Sequence, residues 1–103
     1  MAIAVRWTQH AATELQQAAL FLEDARPGTG SAFVDAIEDA LAIVAQFPRS
    51  TPRIPGEPEN TRKAVIPRYG YWIVYEAHAD VIVVLTVWHA VQSPGSWRQA
   101  GAP

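Results

Sequence analysis

Tyr71-Trp72-Ile73-Val74-Tyr75-Glu76-Ala77 and Val81-Ile82-Val83-Val84-Leu85-Thr86-Val87-Trp88 decide the fold. Both runs are rich in β-branched and aromatic residues, which suit a pleated, half-buried surface. Only His78-Ala79-Asp80 separates them, so they read as two antiparallel strands joined by a hairpin. A three-residue loop pairs Ala77 with Val81 and Tyr75 with Val83. One face then carries Tyr71, Ile73, Tyr75, Val83, Leu85 and Val87; the other carries Trp72, Val74, Glu76, Val84, Thr86 and Trp88. The first face is the cleaner core. A two-residue turn would shift the register and mix the sets, because strand side chains alternate with period two.

Upstream, residues 62–66 form a third strand candidate. The segment 48–61 holds Pro48, Pro52, Pro55, Pro58 and Gly56, a composition that excludes regular structure and makes a long loop. Before it lie two helical patterns. Residues 9–24 place Ala11, Leu15, Ala18, Ala19 and Leu22 on one face, with Thr8 as N-cap. The second helix is expected to be capped by Ser31, to have Asp35 in its first turn, and to carry an apolar stripe of Phe33, Ile37, Ala40, Leu41 and Val44. Phe47-Pro48 ends it. Arg26-Pro27-Gly28-Thr29-Gly30 joins the helices into an αα-hairpin. Ile3, Val5 and Trp7 alternate as a first strand, which must join the same sheet to satisfy its backbone. The order β-α-α-β-β-β defines an α+β domain, its helical hairpin packed on one face of a small antiparallel-type sheet. Residues 1–103 read as one domain, with 93–103 a tail pinned by Trp97.

Composition narrows the function classes. Of the 103 residues 50% are hydrophobic and 17% charged, which excludes disorder. Cysteine is absent, removing disulfides, thiolate metal sites and a cysteine nucleophile. No apolar run reaches the roughly 18 residues of a membrane span, and no basic-then-apolar leader opens the chain, so a cytoplasmic location is expected. The net charge of −2 hides an uneven distribution. Residues 9–47 hold six acids (Glu14, Glu23, Asp24, Asp35, Glu38, Asp39) against Arg26. Residues 48–68 hold five bases (Arg49, Arg53, Arg62, Lys63, Arg68) against Glu57 and Glu59.

No catalytic constellation stands out. His10, His78 and His89 lack metal-ligand spacing, so no metal site is expected. Gly28 and Gly30 precede a helix without the lysine of a phosphate loop, and no nucleophile elbow occurs. Arg62, Lys63 and Arg68 flank a strand, where they suit phosphates or a partner's carboxylates, or else simply guard a sheet edge. Trp72 and Trp88, on the face without helices, suit a partner surface or a second small core closed by Trp97. Tyr71 and Tyr75 read as core tyrosines.

Taken in order, these residues resemble the ParE/RelE toxin superfamily of type II toxin–antitoxin systems, across about residues 3–97. The stretches that carry the resemblance are Val5-Arg6-Trp7-Thr8 before a helix, Ala32-Phe33 opening the second helix, and Ile43 through Pro48 before the proline-rich loop. Arg62 before a strand, Tyr69 through Tyr75, Val84 through His89, and the closing Pro94 to Trp97 complete the set. The resemblance implies the strand–helix–helix–three-strand fold, no cofactor, and a cognate antitoxin as partner in a hetero-oligomer. In the RelE-like branch it implies a ribosome-dependent mRNA endoribonuclease, for which the set here would be Arg62, Lys63, Arg68 and His89. That branch commonly has a base where Trp72 stands and a tyrosine near Ser96. In the ParE-like branch the resemblance implies inhibition of DNA gyrase by binding. The target- and partner-binding residues would then be Arg62, Arg68, Trp72, Trp88, His89, Gln92 and Trp97, with Gln92 where the branch has arginine. The missing bases favour the ParE-like branch. A non-toxic member acting as a protein-binding module is the remaining alternative.

Overall fold

The computed structural model describes residues 3–89. Six elements follow one another: β1 (Ala4–Trp7), α1 (Gln9–Ala25), α2 (Thr29–Gln46), β2 (Thr61–Ile66), β3 (Tyr71–Ala77) and β4 (Val81–His89). The four strands form one sheet in the order β1-β4-β3-β2, and the helical hairpin covers one face. This is the expected α+β architecture. β2, β3 and β4 form an antiparallel meander, whereas β1 lies parallel to β4, so the sheet is mixed. Chain direction explains this. Two antiparallel helices return the chain to the end of the sheet where β1 began, so β1 and β2 run the same way. The meander then makes β4 run that way too. Among the described residues no helix is long and apolar enough to cross a membrane.

The core is the expected helix-facing set with one revision. Ala11 and Ala18 of α1, and Phe33, Ile37, Leu41 and Val44 of α2, are buried against Ala64, Ile66, Ile73, Tyr75, Ile82, Val84 and Val87. Ile3, Val5 and Trp7 pack at its margin. Val83 and Leu85, expected in this core, are only half-buried, and Val84, expected on the opposite face, is fully buried in it. Two features move them. The His78 N–H donates to the Val81 carbonyl at 2.9 Å, so the turn has two residues, Ala79 and Asp80, and Ala77 pairs with Ile82. Further along, Tyr75 pairs with Val84 but Val74 pairs with Thr86, so Leu85 is an extra residue in β4. This bulge restores the expected parity for Val87 and Trp88.

The helix ends also differ from one another in how they are capped. The Thr8 hydroxyl accepts from the Ala11 N–H at 3.0 Å and donates to the Leu85 carbonyl at 3.3 Å, so one side chain caps α1 and ties it to the bulge. α2 starts at Thr29, before the expected Ser31 cap, and Asp35 lies beyond its first turn. Gly28, at φ 90°, takes the cap position. The anion at this helix N-terminus is Glu23 of α1, whose carboxylate accepts from the N–H groups of Gly28 (2.9 Å) and Gly30 (3.0 Å). A carboxylate there satisfies orphan donors and complements the helix dipole, as an Asp35 in the first turn would have done.

The proline-rich loop is anchored rather than loose. The Tyr75 hydroxyl donates to the Pro48 carbonyl at 2.9 Å and is also hydrogen-bonded to the Thr51 hydroxyl. Burial pushes the Tyr75 phenol above its ordinary value, with the Thr51 hydrogen bond and the Arg62 charge opposing that rise; burial raises Tyr71 as well. A phenol whose folded pKa exceeds its unfolded value near 10 stabilises the fold fully below that value. That contribution is lost as pH rises through the folded value. Thermal unfolding between about pH 8 and 11 should therefore show stability falling above about pH 10, and Tyr75→Phe should flatten the fall. At neutral pH the same variant loses the Pro48 and Thr51 bonds, at a cost of about 1 kcal/mol each.

Candidate functional site

The residues singled out above fall into separate places on the sheet. Three of its strand ends, the start of β1, the end of β3 and the start of β2, define a lower end; Ile66, Tyr71 and His89 mark the upper one.

At the lower end, on the helix side, Arg62 pairs across β2–β3 with Tyr75. Its side chain is buried, with 9% exposed. Nη1 donates to the carbonyls of Thr51 (2.6 Å) and Arg49 (3.4 Å), while Nε has no hydrogen-bond partner among the described residues. Arg62 and Tyr75 thus hold residues 48–51 in place, and Arg62 is not presented to a partner. Arg49 is exposed and pairs with Glu59 at 3.1 Å.

On the face away from the helices, Trp72 and Trp88 are cross-strand partners. Trp88 is buried, and it packs with Val74, Trp72, Leu85 and Ile54. These residues form a second, small apolar cluster to which Ile54 of the proline-rich loop contributes, whereas Trp97, expected to close such a core, lies outside the described residues. Lys63 lies over the Trp72 ring, its Nζ 3.7 Å from the centroid, a cation–π contact that leaves the ammonium at the edge of this cluster.

At the upper end, His89 returns to the helix side. Its ring meets Tyr71 edge-to-face at 4.9 Å, and Tyr71 in turn contacts Phe33 of α2 at 5.0 Å. His89, Tyr71 and Val87 line a groove of about 470 Å³ with Glu14, Gln17, Ala18 and Phe21 of α1. Phe21 is 69% exposed there. Arg68 sits in the β2–β3 turn, exposed, its guanidinium 5.9 Å from the Tyr69 ring centroid. Gln92 and Trp97, and the 93–103 tail, lie outside the described residues.

Glu14 is the site residue that sequence reasoning missed. β1 ends opposite Val84, so among the described residues the upper half of β4 has no strand on that side. Glu14 takes its place: Oε1 accepts from the Thr86 hydroxyl at 2.5 Å and the Val87 N–H at 3.0 Å. Oε2 lies 3.3 Å from His10 Nε2. The carboxylate satisfies a buried hydroxyl and an edge amide whose desolvation would otherwise cost about 1–3 kcal/mol each. The readable signals were the i, i+4 spacing of His10 and Glu14 and the lone Thr86 in an apolar strand.

Thus Arg62, Lys63, Arg68 and His89 do not converge. Arg62 is buried at the lower end, Lys63 faces the opposite side of the sheet, and Arg68 and His89 sit on different upper strand ends. Among the described residues no three of His, Asp or Glu come together as metal ligands would. Among the described residues the surface offers apolar and aromatic relief with scattered charge.

The comparisons agree with this fold. The family model described as "ParE toxin of type II toxin-antitoxin system, parDE" matches residues 5–94. No curated protein sequence matches the chain. A solved structure described as the chromosomal ParDE toxin–antitoxin system from P. aeruginosa superposes with a TM-score of 0.71 at 17% identity, over 85% of this chain and 96% of that one. The match of the family model over nearly the whole chain places it: the protein belongs to the ParE toxin family of type II toxin–antitoxin systems.

Proposed function

We propose that this toxin acts by binding, inhibiting DNA gyrase in the cytoplasm, and that a cognate antitoxin holds it inactive in a hetero-oligomer. The observation that carries this reading is the scatter of Arg62, Lys63, Arg68 and His89 over both faces and both ends of the sheet. Cleavage of RNA requires a base for the 2′-hydroxyl and cations at the phosphate, held together within hydrogen-bond reach of the reacting atoms. Inhibition by binding needs only a complementary surface, and the exposed Phe21 beside the His89 groove supplies aromatic relief of the kind enriched at interfaces. Induction of the chain in a host without the antitoxin tests the reading. The expected result is growth arrest with broken DNA and intact mRNA, relieved by co-expressing the product of the neighbouring reading frame. Arrest with cleaved mRNA and intact DNA would overturn it in favour of the nuclease alternative.

A further inference from the structure

α2 ends on an apolar pair that the described residues do not bury. Ile43 is 60% exposed and Phe47 is 59% exposed. The Phe47 N–H donates to the Ile43 carbonyl at 2.9 Å, so Phe47 completes the last helical turn and the two side chains stand one turn apart on one flank. A single exposed apolar residue is ordinary, but two neighbours make a patch.

The charges around this pair are ordered. Asp39 stands one turn before Ile43, about 6 Å along the axis, and Asp35 and Glu38 are exposed beyond it. No base occurs among residues 27–48. Arg49 follows two residues after Phe47, and residues 48–53 add Arg53 and no acid. Both arginines are exposed. Along this flank the order is acid, aliphatic, aromatic, base. Turned end for end, it reads base, aromatic, aliphatic, acid. The two residues from Phe47 to Arg49 span about 3–7 Å, so the acid and the base lie at similar distances on either side of the apolar pair.

We infer that this flank is self-complementary, and that two copies of the chain pair through the ends of α2 about a two-fold axis between Ile43 and Phe47. The helices run antiparallel. Ile43 packs on the partner's Phe47, and Asp39 meets the partner's Arg49 at both ends. A parallel pairing would set acid against acid and base against base, and would align the helix dipoles. Arg49 already meets Glu59 at 3.1 Å, but both side chains are largely exposed. Such a pair contributes little, and a guanidinium has donors enough for a second carboxylate. A purely acidic or purely basic partner segment would satisfy one end of the flank, whereas this chain supplies both. The pairing also gives a use to the separation of acids in residues 9–47 from bases in residues 48–68. Two helix ends make a small contact, so half-association is expected between about 1 and 100 µM.

Sedimentation of the purified full chain tests the pairing. The average mass should rise from monomer toward dimer over that range, and less so as salt is raised. Joint Ile43→Gln and Phe47→Gln substitution should raise the dissociation constant at least about tenfold. It should leave the melting temperature of the dilute chain unchanged, because both side chains are exposed. Asp39→Arg alone and Arg49→Glu alone should each fold with a melting temperature near that of the wild type and stay monomeric, since each sets like charges at both ends. An equimolar mixture of these two variants should dimerise again, because every charged contact then joins a base to an acid. That recovery is specific to a second copy. A wild-type chain that stays monomeric throughout overturns the pairing. So does a dimer that the apolar double variant leaves intact, or a mixture of the charge variants that stays monomeric. A monomeric chain whose antitoxin complex is lost on Ile43→Gln and Phe47→Gln substitution assigns the flank to the antitoxin instead.

Discussion

Phe33→Ala should lower the free energy of unfolding by about 3–5 kcal/mol. Phe33 is fully buried on the inner face of α2. Its ring meets Tyr69 edge-to-face at 5.2 Å and Tyr71 at 5.0 Å, so it is the point where the helical hairpin grips the β2–β3 turn and the upper end of the sheet. Truncation removes the transfer free energy of the ring and both aromatic contacts, and it leaves a cavity that two tyrosines with exposed edges fill poorly. A domain of this size has only about 5–15 kcal/mol in hand. The variant should therefore show a much lower urea midpoint with a similar slope. The loss should extend to His89, which rests on Tyr71. A urea midpoint within experimental error of the wild type would contradict this account of the core.

Gly30→Ala should also destabilise, by about 2 kcal/mol, although alanine normally improves a helix. Propensity alone predicts a gain of about 1 kcal/mol. Against it, a Cβ on Gly30 would lie 2.6 Å from the Ala19 carbonyl oxygen and 3.1 Å from the Glu23 side chain. The first contact is with backbone, so α1 and α2 must separate, at an overpacking cost of about 1–3 kcal/mol. Moving Glu23 also removes its hydrogen bonds to Gly28 and Gly30, worth about 1 kcal/mol each. The sign of the measured change is the informative quantity, since a stabilised variant would mean that the helices do not touch at this glycine.

How far the sequence could be read is seen by comparing Thr8 with Ser31. Both residues precede an apolar helical stripe, and both are good N-caps. Thr8 caps α1, but α2 begins earlier because Glu23, in the last turn of α1, already supplies an anion to Gly28 and Gly30. That contact is tertiary, and no local rule contains it. The strands were legible for the opposite reason: runs such as Tyr71–Ala77 have a period that holds wherever they pack. Their register was less so. In Val81–Val87 nearly every residue is apolar, so alternation leaves no mark of the extra Leu85, and the bulge is set from outside by Thr8 and Glu14. The candidate site was legible as a set of residue types but not as a place. Trp72 and Lys63 do meet, whereas Arg62 is drawn inward by the carbonyls of a loop that sequence alone left without structure.

The position of β4 has a consequence for how the toxin comes into being. It is the last strand among the described residues, yet it lies inside the sheet, with β1 on one side and β3 on the other. Ala4 finds its partner only at Val81. During synthesis, the pairing of Ala4–Trp7 must wait until Val81–Val84 have been made, and pairings so distant in sequence form slowly. A nascent chain stopped short of Val81 has helices but no closed sheet. The closed sheet, and with it the pairing of β1, is thus withheld until Val81 and the residues after it have been made.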